Sequence, residues 1–190
     1  MTATAVAAML WRRLDLPGHD ACWLERAAAG WHLRGMAVFR HPAGPAGLSY
    51  AVNCDEGWRT MSGLVRGHVG GRAVEARMLR LEDGWRLNDA PVAGLGHLVD
   101  LDLGFTPATN LLQLRRVPMV PGEAVALPAA WFDLDAGSLS ELRQSYRRRD
   151  AAGLLYDYEA PDVGYRGVLE TTAEGFVRHY PGLWQAEPAS

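Results

Sequence analysis

Lysine is absent from this sequence, and all 19 basic residues are arginine. GC-rich coding accounts for such a bias, and a preference for two-pronged pairing with carboxylates is the physical alternative. Cysteine is scarce. Cys22 and Cys54 are too few for a disulfide framework and form no C-x-x-C pair, so both read as small semi-buried residues. No stretch approaches the roughly eighteen apolar residues of a membrane-spanning helix. Ala3 to Leu10 is a short apolar run, but Arg12 and Arg13 follow it instead of preceding it, the reverse of a secretory signal. A cytoplasmic location is therefore expected. The net charge of −3 offers no general attraction for nucleic acid.

Catalytic and metal-binding patterns are missing too. His19, His32, His41, His68, His97 and His179 never fall at i, i+2 or i, i+4, and neither a metal nor a cofactor is expected. Gly47-Leu48-Ser49-Tyr50-Ala51 resembles a nucleophile elbow but lacks its second glycine, and it reads as strand. His19-Asp20, following Pro17-Gly18, reads as a solvated turn. No segment sustains a 3.6-residue period over three turns. Ser138 and Glu141 form a capping box that would open a helix reaching Arg149.

What remains is the punctuation of an antiparallel all-β protein. The 21 glycines and 11 prolines separate short runs of aromatic and branched residues. Candidate strands cover 5–12, 20–27, 31–40, 47–54, 58–66, 72–81, 85–88, 97–103, 112–117, 123–134, 143–149, 153–159, 163–171 and 175–180. Leu154, Tyr156 and Tyr158 alternate with Leu155, Asp157 and Glu159, as in a strand with one wet face. Gly-Trp recurs at 30–31, 57–58 and 84–85, spaced 27 residues apart, which suits glycine-turned hairpins of similar length. The proline-rich stretches 41–47 and 118–122 read as loops. A chain of 190 residues is expected to form one domain, 1–190, around one core.

Residues 97–118 carry the densest chemistry. Asp100 and Asp102 would share one strand face with Leu98, their Cβ atoms about 7 Å apart. Thr109 and Asn110 suit a turn or a helix N-cap. Arg115 and Arg116 follow. Three readings stay open. The aspartates pair with the arginines and close a turn. Alternatively, Asp100, Asp102, Thr109, Asn110, Arg115 and Arg116 line a cavity mouth and hold a polar head group. Or Asp100 and Asp102 form a carboxylate pair at a spacing near that of glycoside hydrolases. Arg147-Arg148-Arg149 reads as a solvated strand end, or as an anion site. Seven tryptophans and six tyrosines either fill a core or line an apolar pocket, with Trp58, Trp85, Tyr156 and Tyr158 the cavity candidates.

The order Asp-Leu-Asp-Leu, Thr-Pro-x-Thr-Asn and Leu-Arg-Arg resembles the signature of the bacterial family described as Putative glycolipid-binding, formerly a domain of unknown function. Gly30-Trp31, Tyr50, Cys54-Asp55, Trp58-Arg59 and Asp83-Gly84-Trp85 extend the likeness upstream. Gln144-Ser145-Tyr146, Tyr156-Asp157-Tyr158 and Tyr180-Pro181-Gly182-Leu183 extend it downstream. The chain departs from the pattern at Ala108, where a bulky residue is usual. It departs again at Leu111 to Leu114, where the family has Thr-Leu-Pro-Ile. The resemblance implies a β-barrel-like fold similar to bacterial lipoprotein-localisation factors. Strand count, glycine spacing and resemblance together predict an all-β domain, a strongly curved antiparallel sheet forming a barrel or half-barrel. The expected function is non-catalytic binding of a lipid or glycolipid in an apolar hollow. A lipid or sugar hydrolase using Asp100 or Asp102, and a homodimeric module joined by a sheet edge or face, are the alternatives.

Overall fold

Alternating side chains turn most of this chain into strand, and short turns fold the strands back on one another. The computed structural model describes residues 4–188. Six long strands come first: β1 (Thr4–Arg13), β2 (Gly18–Ala27), β3 (Gly30–His41), β4 (Gly44–Cys54), β5 (Thr60–Val69) and β6 (Arg72–Leu81). Then come β7 (Gly84–Leu87), β8 (Ala90–Val92), β9 (Asp100–Asp102) and a helix, α1 (Asn110–Arg116). The remainder is β10 (Ala124–Ala126), β11 (Ala129–Asp133), β12 (Ser138–Leu142), β13 (Ser145–Arg148), β14 (Leu155–Ala160), β15 (Tyr165–Thr171), β16 (Val177–Tyr180) and β17 (Trp184–Ala186).

Fourteen strands make one antiparallel sheet, in the order β10-β13-β14-β15-β16-β17-β1-β2-β3-β4-β5-β6-β7-β8. A second sheet of three runs β12-β11-β9, with β9 parallel to β11. The Gly-Trp pairs mark hairpins as expected. Gly30 (φ +141°) and Gly84 (φ +127°) open β3 and β7, in a region that suits glycine. At the β4–β5 turn Trp58 itself takes the positive φ, +66°.

The all-β expectation holds, but the large sheet does not close into a barrel. Its margins, β8 and β10, are three residues long, and no ladder joins them. Pro91 removes a donor from the β8 margin. The chain between these margins leaves the sheet and carries β9 and α1 over its inner face. Thr60 N donates to the Val99 carbonyl at 3.3 Å, and Leu101 N donates to Thr60 Oγ1 at 3.2 Å, tying β9 to β5. Gly63 allows this approach, since a Cβ there would meet Leu101 Cδ2 at 2.3 Å.

The core therefore lies where a hollow was expected. Leu101, Leu103, Phe105, Ala108, Leu111 and Leu112 are all buried in one cluster with Trp11, Leu33, Tyr50 and Val65. Each large apolar side chain so covered contributes on the order of 2 kcal/mol. Three local readings also change. Of the expected strand 112–117, residues 112–116 belong to α1, because Leu111 and Leu112 bury one helical side while Arg116 reaches back to β9. Residues 138–149 are β12 and β13, so the capping-box pattern at Ser138 and Glu141 yields to sheet pairing. Residues 44–47 continue β4; Pro45 sits opposite Arg40 beside the turn, where its missing donor costs the ladder little. The apolar run near the N-terminus forms β1 from Thr4 on, and Ala3 lies outside the described residues.

Candidate functional site

Between β9 and α1 the chain makes a tight connection in which short polar side chains replace regular pairing. Thr106 N donates to the Leu103 carbonyl at 2.9 Å, and Ala108 N donates to Thr106 Oγ1 at 3.0 Å. Thr109 stands at the helix N-cap, but its side chain makes no cap bond. Its Oγ1 instead accepts from Leu103 N at 3.3 Å. Asn110 is buried and donates through Nδ2 to the Tyr146 hydroxyl at 2.8 Å. Gln113, with its amide nitrogen donating to the Thr109 carbonyl at 2.9 Å, accepts from Gln144 Nε2 at 3.1 Å. Gln144 Oε1 in turn accepts from the Tyr158 hydroxyl at 2.7 Å. The connection is thus locked from both sides before any ligand is considered.

The charged candidates separate. Arg116 grips Asp100 with both prongs, Nε at 2.9 Å and Nη2 at 2.5 Å, and the Asp100 side chain is fully buried. Arg115 lies over the Trp58 ring at 5.1 Å, Trp58 stacks on Trp31 at 4.3 Å, and Arg26 lies over Trp31 at 4.6 Å. Trp58 is thus part of an arginine–tryptophan stack. Trp85 is buried and donates Nε1 to the Leu98 carbonyl at 3.1 Å, which also accepts from Arg80 Nε at 3.0 Å. Tyr156 is buried on the inner face of β14. Arg147 and Arg149 both pair with Asp157, while Arg148 donates to the carbonyls of Met119, Asp150 and Ala151.

Asp102 behaves differently. It is only 6 % exposed, its carboxylate accepts no hydrogen bond from the described residues, and its oxygens keep a little contact with solvent through a cleft. Burial alone pushes its carboxyl up to about 7. It faces a cleft of about 280 Å³ walled by Trp131 of β11, Tyr158 of β14, Tyr165 of β15 and Tyr180 of β16, with Asn110 beside it. Leu142, Val163 and Leu183 supply an apolar lip. The three tyrosine rings pack on one another, with centroids 4.8 to 5.9 Å apart. Gly104 forms the wall beneath Trp131, where a Cβ would come within 2.3 Å of the indole Nε1. Of the ten expected site residues, the structure brings three to this cleft: Asp102, Asn110 and Tyr158. A wider groove of about 800 Å³ runs along Leu16, Val38 and Pro45, but no buried polar residue lines it.

A second buried acid stands behind the cleft. Asp20, expected in a solvated turn, is fully buried on β2 between inward residues of the large sheet. It accepts from the Tyr50 hydroxyl at 2.9 Å and from the Thr106 hydroxyl, and Thr106 also lines the cleft. Burial outweighs these bonds and raises its carboxyl to about 7. The alternation of Asp20, Cys22 and Leu24 could have revealed this inward face. Cys22 and Cys54 are free and fully buried, and burial raises the Cys54 thiol to about 12. Trp131, Tyr165 and Tyr180 left no local signal, since they converge from three separate strands.

The model of the family described as Putative glycolipid-binding matches residues 8–186. The chain belongs to that family. A search of curated proteins finds no match. Among solved structures, the chain is similar to the crystal structure of a DUF1089 family protein from Pseudomonas aeruginosa. The TM-score is 0.76 at 23% identity, over 87% of this chain and 90% of that one. That likeness is one of fold. No helix among the described residues is long and apolar enough to cross a membrane.

Proposed function

We propose that the protein binds the polar head of a glycolipid or a related amphiphile in the Asp102 cleft, without a covalent step. One observation carries this reading: a buried carboxylate with no partner faces an aromatic-walled cleft. An unpaired buried acid is costly, and a donor-bearing ligand relieves that cost. Membership in the family described as Putative glycolipid-binding supports the same class of ligand. At about 280 Å³ the cleft suits a head group and is too small for long acyl chains. The aliphatic part leaves over Leu142, Val163 and Leu183, each covered methylene contributing about 0.8 kcal/mol.

The hydrolase alternative needs two carboxylates acting on one substrate. Asp100 is committed to the Arg116 fork, and Asp102 is the only acid among the described residues lining the cleft. The geometry therefore favours binding over this two-acid chemistry. Titration of the full chain with octyl glucoside, followed by NMR, tests the proposal. Saturable shifts centred on Asp102, Asn110, Trp131 and Tyr158 are expected, with binding weakened about tenfold in Asn110→Ala through loss of a buried partner. Shifts confined to the Leu16–Val38 groove, or none across a panel of alkyl glycosides, would overturn it.

A further inference from the structure

The cleft also carries information about the charge of its occupant, given the binding reading above. We propose that the head group it takes bears a cationic ammonium group, held between the Asp102 carboxylate and the aromatic walls.

The charge inventory points this way. Among the described residues, Asp102 is the only formally charged one lining the cleft. The nearby cations are committed elsewhere: Arg116 to Asp100, Arg115 to the Trp58 ring, and Arg13 to Asp15, Phe39 and Trp184. The protein thus supplies no counter-ion of its own among the described residues. A neutral sugar hydroxyl would satisfy a lone pair and leave the buried charge uncompensated. A cation does both.

The polar walls are biased in the same direction. The Tyr158 hydroxyl spends its hydrogen on Gln144 Oε1, and the Tyr165 hydroxyl spends its own on the Pro181 carbonyl at 2.9 Å. Asn110 gives one Nδ2 hydrogen to Tyr146 and has Oδ1 without a described donor. These groups therefore present lone pairs and negative ring faces to the ligand, the surroundings that attract an ammonium group. Trp131 Nε1, which has no acceptor among the described residues, suits an oxygen elsewhere on the same head group.

The titratable groups around Asp102 are few. Tyr146, Tyr158, Tyr165 and Tyr180 are all driven upward by burial and stay neutral, and Asp100 is held by Arg116. Asp20 lies beyond Thr106, and burial pushes its carboxyl up to about 7 as well. A cation should therefore bind better as pH rises through about 7, and the Asp102 variant separates this response from that of Asp20.

The test compares choline with dimethylbutanol, its uncharged carbon isostere, on the full chain by NMR titration. Choline's fixed charge removes any titration of the ligand. At about pH 8.5 choline should bind at least about tenfold tighter, and the advantage should shrink at about pH 5.5. Asp102→Asn, which keeps the shape, should lose the preference at both values. Equal binding of the pair, or a preference that survives in Asp102→Asn, overturns the proposal. Octyl glucoside binding in the same samples separates the outcomes. If the glucoside binds while choline shows no advantage, the charge inference falls and the binding reading stands. If neither binds, both fall.

Discussion

Asp100 and Asp102 stand two residues apart on β9, both buried, and only Asp100 has a side-chain partner among the described residues. Asp100 meets the last turn of α1, where Arg116 closes on it with two prongs. Asp102, two residues along the same strand, lines a cleft with rings contributed by β11, β14, β15 and β16. The first arrangement is complete within the chain, as a structural clasp should be. The second leaves a buried acid whose protonation is unsettled near neutral pH. Completeness on one side and deficiency on the other separate a residue that holds the fold from one that awaits something.

The contrast is most exposed to failure at Asp100. Asp100→Ala leaves the Arg116 guanidinium unpaired in a part-buried site and should cost about 3 kcal/mol in urea unfolding. A loss under about 1 kcal/mol would mean the clasp is dispensable and the contrast empty. Next comes Thr106→Val, which strips a hydroxyl from buried Asp20 and should cost about 2 kcal/mol. That loss would show that a buried acid with hydroxyl partners depends on them, as Asp100 depends on its arginine.

Asp102→Asn should act in the opposite direction. Its carboxyl is raised from 3.8 to about 7 in the folded chain, so folding favours the protonated form. The stability this group contributes is present below about pH 4 and lost as pH rises through about 7. Asparagine cannot ionise, so the variant should gain at least about 1 kcal/mol over the parent at about pH 8.5 and little at about pH 4. Thermal unfolding at the two pH values reads the difference. The smallest effect is expected at Arg115. Arg115→Met removes a cation from the Trp58 face and should cost about 0.5 kcal/mol, whereas Arg116→Met should approach the Asp100→Ala loss. Equal losses at the two arginines would erase the distinction drawn at the aspartates.

Much of the fold was legible because alternation is local. Tyr156 and Tyr158 point inward on β14 as their spacing implies, and the Gly-Trp pairs turn three hairpins. The Asp–Arg pairing was legible as one open reading, and half of it forms. Other features were beyond local inspection. Seven residues of α1 are too few to show a period, and they are helical because Leu111, Leu112 and Gln113 find burial there. The predicted barrel failed because strand number does not determine whether two margins meet. Asp20 read as solvated because a neighbouring turn suggested water, whereas Tyr50 and Thr106 come from 30 and 86 residues away.

The order of residues alone determined that this chain alternates, turns at glycine and carries the motif of its family. Those properties depend on neighbours within a few positions, and backbone geometry enforces them locally. The tertiary structure decided which aspartate receives an arginine and which does not. That choice depends on where a short helix ends and which distant rings arrive beside it, and both follow from packing β9 and α1 over the open sheet.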